Sequence, residues 1–125
     1  QAQFNSATAQ EKMMEYALAV LKNKPAFHIN FIMNVSPNCD CWHYNDIPIV
    51  PDIGIAASFD PVALDRACAD LVNQAPINKN SIIGSSTNNS DRFGLVFPGI
   101  DWRIGINYAE KIGLGSQNYE LVKVY

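Results

Sequence analysis

The sequence has 125 residues, of which 48% are hydrophobic and 17% are charged, and its formal net charge is −3. This size and composition are typical of one globular domain with its own core, and they exclude a chain that is disordered throughout. A net negative charge without a cluster of basic residues argues against nucleic acid as a main partner. No apolar run approaches the roughly 20 residues that span a bilayer.

The chain begins at Gln1 rather than at methionine. We therefore expect residues 1–125 to form a single domain that is a fragment, or the C-terminal domain, of a longer parent protein. Its three cysteines cannot all pair within one chain. Cys39 and Cys41 would close a strained small ring, although either is able to pair with Cys68. We expect reduced thiols and a cytoplasmic location.

The first predicted element is a helix over 8–22. Thr8-Ala9-Gln10-Glu11 has the spacing of a capping box, apolar residues follow at helical intervals, and Pro25 ends the pattern.

The second predicted element is a strand over 27–35, in which apolar residues occupy every second position. Its other face is mostly polar and carries His28, Asn30 and Asn34. This polar row either lines a pocket that leads to the following loop or forms a solvated edge.

A long loop, 36–52, and a short buried strand, 53–57, come next. Long loops inside compact domains are often functional. Asp60 is then expected to cap a helix that starts at Pro61, because Asp accepts backbone N–H groups at the N-cap and Pro fits the first turn.

The remainder of the chain is predicted to contain a polar, turn-rich stretch over 74–93 that is flexible around 85–90. A helix follows over about 100–112, with Gly113 in a left-handed Schellman ending, and then a strand over 119–125. Helices interleaved with short strands indicate a layered α/β fold with a short, mostly parallel or mixed sheet and about three helices.

The strongest chemical feature is the segment Asn38-Cys39-Asp40-Cys41-Trp42-His43. Two thiols, an imidazole and nearby carboxylates are ligands that zinc or iron prefers. Since a metal site wants about four ligands, we predict Cys39, Cys41, His43 and Asp46 as the metal-binding set. Cys68 is disfavoured, because its helical position points to the core. The alternative is a pair of reduced structural cysteines beside a solvated histidine.

Other chemical signatures are weaker. Asp52 lies at the mouth of a predicted strand, where α/β proteins often place working residues. Phosphate-loop and nucleophile-elbow motifs are absent from the sequence. With three cysteines, a four-iron cluster held only by cysteines of this chain is excluded.

Three segments together resemble the C-terminal part of the domain of unknown function 362 family. They are 34–41 with its Cys-Asp-Cys loop, 46–55 with Pro-Asp-Ile-Gly, and 57–68 with Phe-Asp-Pro. The helices at 11–17 and 108–115 resemble the family too. Members of this family are often labelled iron–sulfur cluster-binding proteins.

The resemblance implies a redox or metal-associated domain whose Cys-Asp-Cys loop contacts a metal or cluster, either iron–sulfur or zinc. It also implies a partner, either the rest of a longer parent or a ferredoxin-like module, whose cysteine box is missing here. A structural or assembly module without metal is the alternative, and a metal-dependent enzyme that uses Asp46 or Asp52 is another.

Overall fold

The computed structural model describes residues 5–87 and 91–124. Helices and two short strands alternate along these residues, which confirms the α/β class. The elements are α1 (Ser6–Leu21), β1 (His28–Ile32), β2 (Gly54–Ser58), α2 (Pro61–Gln74), α3 (Arg92–Val96) and α4 (Arg103–Lys111). No helix in the described ranges is long and apolar enough to cross a membrane.

The direction of the sheet was predicted wrongly. β1 and β2 pair with each other, and they run antiparallel rather than parallel. A parallel pair needs a crossover connection, usually a helix. The connection over 33–53 contains no helix, so the chain returns along the strand it has just left.

The predicted strand over 119–125 is also wrong for its described part. Residues 119–124 have strand-like composition but form no strand, because a strand requires a hydrogen-bonded neighbour and composition alone does not supply one. Of the predicted flexible stretch, residues 88–90 lie outside the described residues. α3 (Arg92–Val96) begins in the last two residues of the polar stretch over 74–93, and the sequence did not predict it.

The apolar face of β1 lies outward. The burial alternates along the strand, with Ile29 and Phe31 exposed at 53% and 63%, whereas Ile32 is buried at 6%. Hydrophobic alternation therefore identified the strand correctly, but it does not say which face the chain itself covers.

Helix ends follow local hydrogen bonding. α1 begins two residues before its predicted start, because Asn5 Oδ1 accepts the N–H groups of Ala7 and Thr8 at 3.0 and 3.4 Å. The expected N-cap of α2 is confirmed, and so is the Schellman ending of α4. There Gly113 has φ +82° and the Leu114 N–H donates to the Ala109 carbonyl at 2.9 Å.

The chain divides into two compact units, which are described separately. The described parts of Gln1–Ile29, Ala57–Ala67 and Ile100–Tyr125 form the first, and Asn30–Ala56 and Cys68–Gly99 form the second. The second unit has a core of buried aliphatic residues, namely Ile32, Ile49, Val50, Val72 and Ile83.

In the first unit, α1 packs on α4 through polar groups as well as apolar ones. Gln10 Oε1 accepts the Gly105 N–H at 3.0 Å, and the Tyr108 hydroxyl donates to Glu15 Oε1 at 2.8 Å. Lys12 Nζ lies 2.7 Å from the other Glu15 oxygen. The hydrogen bond from Lys12 lowers the pKa of Glu15 most, and the hydrogen bond from the Tyr108 hydroxyl is the second cause of this lowering.

Replacing Tyr108 by phenylalanine is expected to raise the pKa of Glu15 while leaving it below the usual value, since the larger donor, Lys12, remains. A depressed carboxyl pKa stabilises the fold above the unfolded-state pKa, and this contribution is lost as pH falls through the folded pKa. The check is an NMR pH titration of the Glu15 carboxyl in wild type and Tyr108→Phe. An identical midpoint in both proteins would show that the hydroxyl contributes nothing.

Candidate functional site

The two loop cysteines share one tight turn. The Trp42 N–H donates to the Cys39 carbonyl at 2.9 Å, which closes a turn over 39–42. Within it the Cys41 N–H points at Cys39 Sγ, 3.5 Å away. Both cysteines are exposed. The turn therefore presents two thiols on one short piece of backbone that is open to solvent.

Asn45 holds the ends of this loop together. Its Oδ1 accepts the Asn38 N–H at 3.1 Å, and its Nδ2 donates to the Asn38 carbonyl at 2.8 Å and to Ser36 Oγ at 2.9 Å. Asn38 Nδ2 donates in turn to the Tyr44 carbonyl at 3.4 Å. These side-chain hydrogen bonds hold the two ends of the loop together, so the backbone on either side of the exposed cysteines is fixed.

The two thiols are electrostatically unequal. The Cys41 thiol and the Cys41 backbone N–H both donate to the Cys39 sulfur, and they lower the pKa of Cys39 below its ordinary value. The hydrogen bond to Cys39 raises the pKa of Cys41, with charge repulsion from the Cys39 sulfur as the second cause. The two opposite shifts make Cys39 the more acidic thiol of the pair.

The other two predicted ligands lie in the same loop but are engaged elsewhere. The His43 ring contacts the Tyr44 ring at a tilt of 45°, with centroids 4.0 Å apart, and the Trp42 ring lies 5.6 Å away. Asp46 Oδ1 accepts the N–H of Ile47 at 2.7 Å. Over residues 5–87 and 91–124, no three His, Cys, Asp or Glu side chains gather into a group that could hold a metal ion.

Cys68 has a different environment from the two cysteines of the turn. It is partly buried on α2, packs against the aliphatic core of the second unit, and accepts a hydrogen bond from Asn30 Nδ2 at 3.5 Å. This agrees with the prediction that Cys68 faces the core.

The remaining candidates have structural contacts. Asn30 lies on the less exposed face of β1, as does His28. Asn34 lies beyond the strand, with a left-handed φ of +50°, and its N–H donates to Asp52 Oδ1 at 2.7 Å. Asp52 therefore stabilises the chain where it leaves β1, and Asn is among the residues that tolerate such a φ.

Sequence reasoning missed Asn45. Its role depends on hydrogen bonds to residues seven and nine positions earlier, which no helical or strand period encodes. The available signal was the pair of asparagines, Asn38 and Asn45, on either side of the cysteines. Asn side chains commonly bond to nearby backbone in loops.

These observations define an α/β protein with an exposed dithiol turn. A family model described as Domain of unknown function (DUF362) matches residues 1–70, and the chain belongs to this family. The matched stretch includes α1, both strands, the cysteine turn and the start of α2. Comparisons with curated proteins and with solved structures found no match.

Proposed function

We propose that this chain is a redox or metal-associated domain that supplies two thiolates, from Cys39 and Cys41, to a metal ion or iron–sulfur cluster. The observation that carries the proposal is the placement of both sulfurs in one exposed turn. Thiolates are the ligands that zinc and iron–sulfur centres select. The lowered pKa of Cys39 favours the ligating form of that sulfur.

Two thiolates are half of the usual ligand set, so the site must be completed. His43 and Asp46 remain our candidates from this chain, because they belong to the same exposed loop. Asp46 can coordinate through Oδ2 while its Oδ1 accepts the Ile47 N–H, and the ring contact with Tyr44 does not involve the hydrogen-bonding positions of the His43 nitrogens. The alternative source of ligands is a partner.

The partner that we propose is a ferredoxin-like module or the rest of a longer parent protein. The resemblance to iron–sulfur-associated sequences supports this choice, and it makes iron the first candidate metal and zinc the second. Exposed apolar side chains at the end of β1 support an interaction surface, since exposed apolar residues that cluster mark binding sites. In the second unit they are Phe31 and Met33, 63% and 51% exposed.

Titration of the anaerobic, reduced chain with Co²⁺ tests the proposal. We expect thiolate-to-cobalt charge-transfer absorption that saturates at one ion per chain and that disappears in Cys39→Ser and in Cys41→Ser. Cys68→Ser is the matched control and should titrate like wild type, because Cys68 packs on the core. His43→Ala and Asp46→Ala should weaken binding without removing the charge-transfer band, since both thiolates remain.

Absence of the charge-transfer band in the wild-type chain would contradict the proposal. The cysteines would then be structural, and an assembly role without metal would be favoured. A band that survives in both loop variants but disappears in Cys68→Ser would place the metal away from the turn.

A further inference from the structure

The geometry of the cysteine turn supports an activity that needs no metal. The Cys41 N–H is directed at the sulfur of Cys39 at 3.5 Å within the turn that the Trp42 N–H closes on the Cys39 carbonyl, and both cysteines are open to solvent. We propose that Cys39 and Cys41 exchange reversibly with low-molecular-weight disulfides of the glutathione type, closing and reopening a disulfide between themselves.

The reaction balances without a further oxidant. The Cys39 sulfur attacks one sulfur of the small disulfide, so that a mixed disulfide forms and the first small thiolate leaves with the electron pair of the broken bond. Cys41 then loses its proton to solvent and attacks Cys39 Sγ, which forms the Cys39–Cys41 bond and expels the second small thiolate. Two electrons thereby pass from the protein dithiol to the small disulfide, and the two released thiolates take up protons from water.

One hydrogen bond of the turn assigns the order of attack. Cys39 Sγ accepts the Cys41 N–H at 3.5 Å, and a donor directed at a sulfur stabilises negative charge on it. Cys39 is therefore the attacking sulfur, and Cys41 resolves the mixed disulfide.

The short spacing makes the exchange reversible. A disulfide between residues two positions apart closes a small ring whose geometry departs from the relaxed one, and strained, exposed disulfides are easily reduced. Asn45 secures the base of the loop through Asn38 and Ser36, so the turn can close and open without unravelling the surrounding chain.

The test uses the full chain, freed of metal with a chelator, in buffers of reduced and oxidised glutathione, with acid quenching and mass spectrometry. We expect the wild type to lose two hydrogens and peptide mapping to place the bond between Cys39 and Cys41. Cys41→Ser should accumulate a glutathione adduct on Cys39, about tenfold faster than Cys39→Ser is modified at Cys41. Cys68→Ser should behave like wild type.

Three outcomes for the wild-type chain would overturn the proposal. The chain stays reduced, it retains glutathione on either loop cysteine, or one loop cysteine forms a disulfide with Cys68. Equal rates of adduct formation in the two serine variants would overturn the assigned order of attack. None of these outcomes bears on metal binding, because the cobalt titration measures metal binding separately.

Discussion

Replacing Gly84 by alanine is expected to lower the free energy of unfolding by about 3 kcal/mol, at the upper end of what overpacking costs. A methyl group at Gly84 would overlap the carbonyl group and Cα of Lys79. These are backbone atoms, so no side-chain rotation relieves the overlap. Gly84 follows the buried Ile83, and its N–H donates to the Ser81 carbonyl at 2.9 Å, so the turn cannot move without disturbing the core of the second unit.

Urea denaturation of the purified variant checks this expectation. Ser85→Ala is the matched control, because Ser85 is exposed and adjacent, and exposed substitutions usually change stability by less than about 0.5 kcal/mol. If Gly84→Ala unfolded at the wild-type urea concentration, the close approach of Gly84 to Lys79 would be refuted.

Asp60 is expected to contribute more to the stability of the fold than an ordinary helix cap does. Its Oδ1 accepts the N–H groups of Val62 and Ala63 at 2.9 and 3.0 Å, which is N-capping. Its Oδ2 accepts the Ser116 N–H at 2.8 Å, so the same carboxylate also ties the segment after α4 to the start of α2. Gly115 makes this approach possible, because a methyl group there would overlap the carboxylate.

Asp60→Ala should therefore cost about 2–3 kcal/mol of stability, compared with about 1 kcal/mol for a simple cap. Asp60→Asn keeps one side-chain oxygen as an acceptor, and its stability should fall between alanine and wild type. Denaturation curves of the three proteins provide the comparison. Loss of bound metal with unchanged stability in Asp60→Ala would instead place this carboxylate in the functional site.

Two helix ends that depend on neighbouring residues were predicted correctly from the sequence. The start of α2 at Asp60-Pro61 and the end of α4 at Gly113 are encoded by residues that satisfy the backbone groups beside them. Features that depend on distant residues were not predictable. The antiparallel pairing of β1 and β2 and the outward position of Phe31 depend on where the chain returns, and neither pattern nor composition encodes that path.

In the candidate site, too, some features were predictable from the sequence and others were not. Sequence placed both cysteines in one loop, because only Asp40 separates them in the chain. It placed His43 and Asp46 with them on the basis of spacing alone. In the structure the His43 ring makes a tilted contact with Tyr44, and Asp46 accepts a backbone N–H, because side chains in loops commonly bond to nearby backbone groups.

The metal content of anaerobically purified protein tests the central claim most directly, measured by elemental analysis in wild type and three cysteine-to-serine variants. The account predicts bound iron or zinc in wild type and in Cys68→Ser, and none in Cys39→Ser or Cys41→Ser. Equal metal content in wild type and both loop variants would contradict it.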